Sequence, residues 1–547
     1  MKRDNALKTG LFIGIGIVYF LIFIAPNMTG AQNASMLAVF EIDEFAQYPH
    51  LIEMLTPGAT FYQSLRNFLI YQHYFYGFPF YFISAILALP VKFLLGGSWP
   101  ANTTVIVASL RQLVNVAPMI LSAFLLVYMQ TRLRPLWKSV GLFVFLLSLP
   151  AVIGNNLWWH PDSLQVLSGV LVLFFLDRDD LSFGKNFLFS AAVCGVAAGI
   201  KYAGLFFFLV IPVYIIWGLI DKRLTVRKAI FSGLGFVGIM AFTLILTNPL
   251  LLLTQERAEV IANQVLQFQQ TSLGILQTNP DPYFNWGSFP EDFRIHYGER
   301  GFILIAIAAL FYGLLRPGEG QSRRQRLLVL ILAWIIPTVI TINFSATRRT
   351  YYFLPVILPL FSCLAGLPFE KITSLLIRKP KSSLISWGWL LVAGVIVLQT
   401  VLFIRTDVEK YNQALKREET SGSIAFYKTL DSEFLPKIHE NKLVVYRDWH
   451  VYFPSRSDRE VEMSWEMVSY DFINPIHPDL ILLDRENLNL FSQPESVERA
   501  VDPQKMQPVY QFYRDAKSNQ ITGYTLLYEN PFGLAFVKTG LWDMYFK

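Results

Sequence analysis

Apolar runs long enough to cross a lipid bilayer recur along this 547-residue chain as far as residue 404. Within hydrocarbon every backbone N–H and C=O must be paired inside the segment, so such runs form helices. Charged residues make up only 16% of the chain and the mean hydropathy is +0.41, against about 25% charge in soluble domains. The fold class is therefore a polytopic α-helical membrane protein. Forty-six Phe, 25 Tyr and 12 Trp suit lipid-facing and interfacial surface. The net charge of +6 comes mostly from short loops between apolar runs, which excludes a nucleic-acid surface. Both cysteines, Cys194 and Cys363, lie inside apolar runs, which argues against a structural disulfide or a cysteine metal site.

The spans read as residues 9–25, 104–129, 136–153, 163–176, 186–200, 203–220, 228–252, 301–315, 327–342, 351–367 and 385–404. Lys2, Arg3 and Lys8 put the N-terminus in the cytoplasm, and the first span reads as a retained signal anchor. Five basic loops follow, around Arg132–Lys138, Arg178–Lys185, Lys222–Lys228, Arg316–Arg326 and Lys371–Lys381. All five become cytoplasmic only if residues 71–95, interrupted by Gly77, Pro79 and Pro90, do not cross completely. The expectation is a juxtamembrane or re-entrant element there, about eleven crossings, N-terminus in and C-terminus out. Phe61, Leu65, Phe68 and Leu69 have helical spacing opposite Gln63, Arg66 and Asn67, which predicts a helix lying in the interface.

The membrane part is residues 1–404, with outer loops 27–74 and 248–300. The second loop holds another amphipathic run (Ala258, Ile261, Val265, Phe268) and a Tyr283-Phe284-Asn285-Trp286 cluster. From residue 405 charge returns, and strand-like runs at 442–446, 480–483 and 525–528 predict a small α/β domain outside the membrane over 405–547.

Unusual polar residues collect on the outer side. Asp43 and Glu44 follow the first span. They read equally as a solvated acidic pair or as a general base, Asp43, with Glu44 in support, since a carboxylate at a low-dielectric boundary can take an acceptor proton. The pair can also hold a divalent cation, although no spacing marks a dedicated metal site. In Trp158-Trp159-His160-Pro161-Asp162, His160 is titratable and Asp162 is either a helix-start carboxylate or a second polar contributor. Lys201, Arg348 and Arg349 oppose the charge rule for an outer face. Each is a snorkelling anchor or a ligand for lipid phosphate. Arg111, inside an apolar run, and His73, with His50 a weaker candidate, complete the phosphate-binding set.

These pieces, in their order, resemble the GT-C superfamily of membrane glycosyltransferases, near the dolichyl-phosphate-mannose-protein mannosyltransferase and bacterial aminoarabinose transferase families. The matching stretches are Ile42-Asp43-Glu44-Phe45, Tyr76-Gly77-Phe78-Pro79, His160-Pro161-Asp162, Gly199-Ile200-Lys201-Tyr202, Asn248-Pro249 and Arg348-Arg349-Thr350-Tyr351-Tyr352. The resemblance implies inverting transfer of a sugar from a polyprenyl-phosphate donor to a lipid, glycan or protein acceptor. It gives the base to Asp43 and the leaving phosphate to Lys201 and Arg348 or Arg349. One departure is that Phe78-Pro79-Phe80 has a single proline and no lysine, where related enzymes often carry Pro-Pro and a nearby lysine. The scarcity of cysteine in the outer domain leans towards a bacterial cell membrane. Two other classes remain at this point: a lipid or sugar transporter, against which the absence of inverted repeats argues, and a noncatalytic membrane subunit.

Overall fold

The computed structural model describes residues 2–273, 289–315, 322–345, 348–368, 384–440, 442–465, 467–500 and 502–547. The Tyr283–Trp286 cluster, Arg316 and the basic residues Lys371, Arg378, Lys379 and Lys381 lie outside them.

Among the described residues, seven helices are long and apolar enough to cross a membrane, or eight when the bent pair Phe289–Tyr297 and Arg300–Leu315 counts as one span. Leu136–Leu147, Lys185–Ile200 and Thr350–Gly366 are apolar but shorter. The protein is an integral membrane protein. Among the described residues, the segments around Arg132, residues 177–180, Asp221 and residues 323–326 meet. There Asp177, buried, takes Arg132 at 2.6 Å and Arg323 at 3.0 Å, while Arg326 pairs with Asp180 and lies 3.8 Å from Asp221.

Residues 71–95 are less broken than expected. Gly77 and Pro79 start a helix, Phe78–Leu95, and Pro90 sits inside it without ending it. With the turn that follows, to Ala101, this helix has the length and hydropathy of a span. The Ile42–Leu55 helix nevertheless lies alongside it. His160 meets both Asp43 and Tyr76 at one end, and Lys92 donates to the Leu55 carbonyl at the other. Just beyond, Tyr48 donates to the Pro100 carbonyl at 3.0 Å and Thr104 to the Ala31 carbonyl at 3.0 Å. The Phe78–Leu95 and Ile42–Leu55 helices thus meet near both of their ends.

The predicted interfacial helix forms over Phe61–Leu69, capped by the Thr60 hydroxyl, with Phe61, Tyr62 and Leu65 exposed. The second amphipathic run lies within Thr254–Leu273.

The last long helix, Leu384–Thr420, runs through residue 405 unbroken. The small sheet domain that follows has five strands: β1 Leu443–Arg447, β2 Arg459–Glu462, β3 Leu480–Asp484, β4 Tyr524–Glu529 and β5 Gly533–Lys538. Their order is β2-β1-β3-β5-β4, parallel from β2 to β3 and antiparallel on the β5 side. Alternation buries Val445 and Leu480 on one face, Tyr446 and Ile481 on the other. The domain sits against the outer loop. Trp465 packs 5.7 Å from Phe45, the Arg447 guanidinium lies 5.7 Å from the same ring, and Asn33 donates to the Tyr452 hydroxyl at 2.9 Å.

Candidate active site

The site forms where four local breaks in helix geometry meet. The Ile42–Leu55 helix begins after Glu41, whose backbone is non-helical, so Asp43 and Glu44 occupy its first turn, one exposed and one buried. The Pro150–Asn155 helix stops before Trp158, and Asn115 pins the turn by donating to the Asn155 carbonyl at 3.2 Å and the His160 carbonyl at 3.1 Å. Lys185–Ile200 ends at Lys201, which turns to extended backbone. Arg349 leads into the short turn Thr350–Phe353.

These breaks align a chain of polar groups. Lys201 Nζ donates to Asp162 Oδ1 at 3.0 Å, and Asp162 Oδ2 lies 2.6 Å from His160 Nδ1. His160 Nε2 meets the Tyr76 hydroxyl at 2.6 Å and stands 3.7 Å from Asp43 Oδ2. His160 is fixed further by Trp158, stacked at 4.1 Å and 9°, and by the edge of Tyr351 at 5.5 Å. His160, Asp162 and Lys201 are buried, whereas the Asp43 side chain is 40% exposed.

Two clefts open on opposite ends of this chain. One, largely apolar, is bounded by Lys201, Tyr202, Phe207, Phe268, Trp334 and Tyr352. The Tyr352 and Tyr351 rings lie 5.0 and 5.8 Å from Lys201 Nζ. The other is a polar groove bounded by Glu41, Asp43, Trp158, Arg349, Trp449 and His450. Tyr351 lines both clefts. A third apolar cleft reaches Lys201 from the side of Tyr74, Asn248 and Ile261.

Several sequence expectations change here. Glu44 does not share a site with Asp43. It is buried, with Oε1 2.7 Å and Oε2 2.5 Å from the Arg111 guanidinium, and it accepts from the Trp159 amide at 2.5 Å. Arg111 donates its remaining hydrogen bonds to the Asn27 and Thr29 carbonyls, at 2.9 and 3.0 Å, so it is a structural partner rather than a phosphate ligand. His73 accepts from or donates to the Tyr81 hydroxyl at 2.7 Å, and burial, with His50 beside it, lowers its pKa to about 3. A neutral ring is no cation for phosphate. Arg348 donates twice to the Asn343 carbonyl, at 3.2 and 2.9 Å, while exposed Arg349 lines the Asp43 groove. Among the described residues no group of three His, Cys, Asp or Glu side chains is placed to hold a metal ion. With Glu44 engaged, the adjacent carboxylates do not form a shared cation site.

Sequence reasoning passed over Tyr76, Glu41, Trp449 and His450 as site residues. Tyr76 stood in a matching stretch. The Asp448-Trp449-His450 run follows β1 directly, and the loop after a parallel strand is where α/β sheets commonly place ligand contacts. Burial, then the neighbouring Glu44 carboxylate, raises the Glu41 pKa to about 8.

No family model matches the chain, and no curated protein matches it by sequence. Solved structures do. The archaeal oligosaccharyltransferase AglB from Archaeoglobus fulgidus, in complex with an inhibitory peptide and a dolichol-phosphate, superposes with a TM-score of 0.53 at 12% identity over 96% of this chain and 74% of that one. Its apo form gives 0.50 at 13% identity, with the same coverage. ArnT from Cupriavidus metallidurans bound to undecaprenyl phosphate gives 0.49 at 12% identity, covering 96% of this chain and 97% of that one. The AglB superpositions show a shared fold. In this chain that fold is a helical membrane bundle followed by a small sheet domain.

Proposed function

We propose that this protein is an inverting glycosyltransferase that moves a hexosyl or pentosyl unit from a polyprenyl-phosphate carrier to an acceptor. The single observation that carries the reading is Tyr351 standing as one wall between two unlike clefts, an apolar one ending at Lys201 and a polar one holding Asp43. An isoprenoid tail suits the first and a hydroxyl-bearing acceptor the second. In this reading Lys201 holds the donor phosphate by charge. The acceptor oxygen attacks the anomeric carbon from the Asp43 side and its proton passes to the Asp43 carboxylate. The bond from C1 to the phosphate oxygen breaks, and the electron pair leaves with polyprenyl phosphate. Attack and departure on opposite faces invert the anomeric centre. His160 and Tyr76 aim Asp43, and Asp162 holds His160 and Lys201 in register.

The reading also takes the N-terminus as cytoplasmic and the site, with the sheet domain, as extracytoplasmic at a bacterial cell membrane. The membrane unit, about residues 1–404, carries the chemistry, and residues 405–547 cover the acceptor side. The AglB structure, in complex with a dolichol-phosphate, agrees with a lipid-phosphate donor.

The test is release of polyprenyl phosphate by purified protein supplied with a panel of polyprenyl-phosphate sugars and membrane acceptors, wild type beside Asp43→Asn. Turnover that disappears in the variant, with donor binding kept, is the expected result. Turnover that persists removes Asp43 from the mechanism.

A further inference from the structure

The polar groove has walls from two parts of the chain. The outer loop and the bundle give Glu41, Asp43, Trp158 and Arg349, and the sheet domain gives Trp449 and His450. Two features of these walls bear on what fits between them. Their aromatic planes are fixed before any ligand arrives. Trp158 is held by His160 and by the Tyr351 edge at 5.3 Å. Trp449 donates its indole N–H to the Ser464 carbonyl and stands 6.5 Å from Trp465, which itself leans on Phe45 in the helix that carries Asp43. Between the planes lie groups that hydrogen-bond hydroxyls. Glu41 favours its neutral, donor-bearing form at neutral pH, so it sits beside Asp43 without adding a second fixed charge.

The mixture separates three kinds of occupant. A lipid tail needs an apolar channel such as the one at Lys201, not a groove edged with Asp, Glu, Arg and His. An extended peptide that binds by strand addition needs a sheet edge, and the edge strands β2 and β4 contribute no residue to the groove. A pyranose ring has one or two C–H faces that pack on an aromatic plane and a rim of hydroxyls that seek carboxyl, guanidinium and imidazole partners. Resting on the transferase reading above, we infer that the acceptor is a saccharide and that the sheet domain takes part in selecting it, with Trp449 as a stacking platform for the acceptor ring.

Trp449 is a specificity residue in this scheme. Loss of one aromatic platform is worth about tenfold in affinity. The experiment uses the full chain in lipid nanodiscs with two readouts. Saturation-transfer NMR reports binding of soluble gluco-, galacto- and manno-configured trisaccharides, with a Ser/Thr-containing peptide in parallel. Transfer of label from a polyprenyl-phosphate hexose reports acceptor KM and kcat separately, and polyprenyl-phosphate affinity shows that each variant is folded. Expected are saccharide signals with wild type, their loss in Trp449→Ala, an acceptor KM raised about tenfold with a smaller change in kcat, and recovery of most of the affinity in Trp449→Phe. Binding and labelling of the peptide instead of the saccharides overturns the inference. So does the absence of signal from every trisaccharide, or a saccharide KM that Trp449→Ala leaves within twofold. Each of those results leaves the transferase reading standing. Absence of turnover with every polyprenyl-phosphate sugar overturns the transferase reading, and the NMR arm still decides whether a saccharide binds.

Discussion

Glu44 and Arg111 hold each other through both carboxylate oxygens, at 2.7 and 2.5 Å, and neither side chain reaches solvent. Asp43, one residue earlier, is 40% exposed and faces the polar groove. The two acidic side chains that look alike in sequence therefore do different work. Asp43 is open to the groove. Glu44 ties the Ile42–Leu55 helix to the Thr103–Thr131 rod and to the Trp159 amide beside His160. The position of Asp43 depends on that tie.

Substitution of Glu44 by Gln leaves a buried guanidinium without its counter-charge. Breaking one side of such a pair costs about 3–5 kcal/mol. Glu44→Gln is expected to lower the thermal midpoint and the yield of folded protein, whereas Asp43→Asn keeps both and lowers turnover by about 10²-fold or more. Thermal unfolding in detergent, set beside turnover, separates the two. An unaltered midpoint in Glu44→Gln contradicts the structural role.

Lys201 is the cation at the apolar cleft, and its partner is Asp162 at 3.0 Å. Lys201→Met leaves Asp162 buried beside His160 Nδ1, at 2.6 Å, without the lysine. The expected outcome is a donor affinity reduced about tenfold to a hundredfold, read from binding of polyprenyl phosphate, together with a lower kcat. Arg349→Gln, on the other side of Tyr351, is expected to act on acceptor KM more than on donor binding. Equal effects of both substitutions on donor binding would place the two cations in one phosphate site.

The sheet domain carries its own titration. Asp448 is buried, accepts from the Tyr446 and Tyr513 hydroxyls at 3.2 Å each, and accepts from the Asp484 amide at 3.1 Å. Burial, then the Asp484 carboxylate, raises its pKa to about 7. The folded state thus holds this proton more tightly than the unfolded chain, where a carboxyl titrates near its ordinary value of about 3.9. The contribution is fully present below that value and is lost as pH rises through about 7. The domain is expected to melt at a lower temperature at pH 8 than at pH 5, and Asp448→Asn is expected to flatten that slope. The measurement is the melting midpoint of the full chain against pH, followed by a probe in the sheet domain. A slope unchanged by the substitution assigns the effect to another group.

How much of this was legible in the sequence depends on the distance over which each feature is encoded. The bundle, the interfacial helix at Phe61–Leu69 and the strands β1, β3 and β4 are local patterns of apolar residues, and periodicity alone finds them. Strand β2, four residues of which three are charged, has no such pattern and exists because β1 offers it an edge. His160, Asp162 and Lys201 stood out one by one as polar residues in apolar surroundings. Their contacts span 39 positions between Asp162 and Lys201, and no local signal encodes them. Glu44 and Arg111 lie 67 positions apart, and no local pattern shows that the two charges pair. Trp449 belongs to a different domain from Asp43, and the docking of the sheet domain on the outer loop, through Trp465 and Arg447 on Phe45 and Tyr452 on Asn33, brings the two to one groove.

The last prediction concerns the joint that sets the level of Lys201. Gly77 donates its amide to the Ile200 carbonyl at 3.0 Å, and the next amide, of Phe78, donates to Asn248 Oδ1 at 3.1 Å. The loop before the Phe78–Leu95 helix is thereby clamped between the ends of the helices Lys185–Ile200 and Val226–Thr247. A Cβ at Gly77 would overlap the backbone carbonyl of Gly199, and a Cβ at Gly199 would overlap the side-chain amide of Asn248. At Gly77 the obstacle is backbone and cannot swing away, so Gly77→Ala must push the two segments of chain apart. Lys201 follows Gly199 by two residues and Tyr76 precedes Gly77, so the displacement falls on both ends of the Lys201–Asp162–His160–Tyr76 chain. Gly77→Ala is expected to cost about 4 kcal/mol or more, and any folded protein that remains should bind donor weakly. Gly235→Ala is the control. Gly235 lies within the Val226–Thr247 helix with nothing in reach of an added Cβ, and alanine there should be neutral or stabilising by about 0.5–1 kcal/mol. If both variants fold and bind donor alike, the Gly77–Gly199 joint does not position the site.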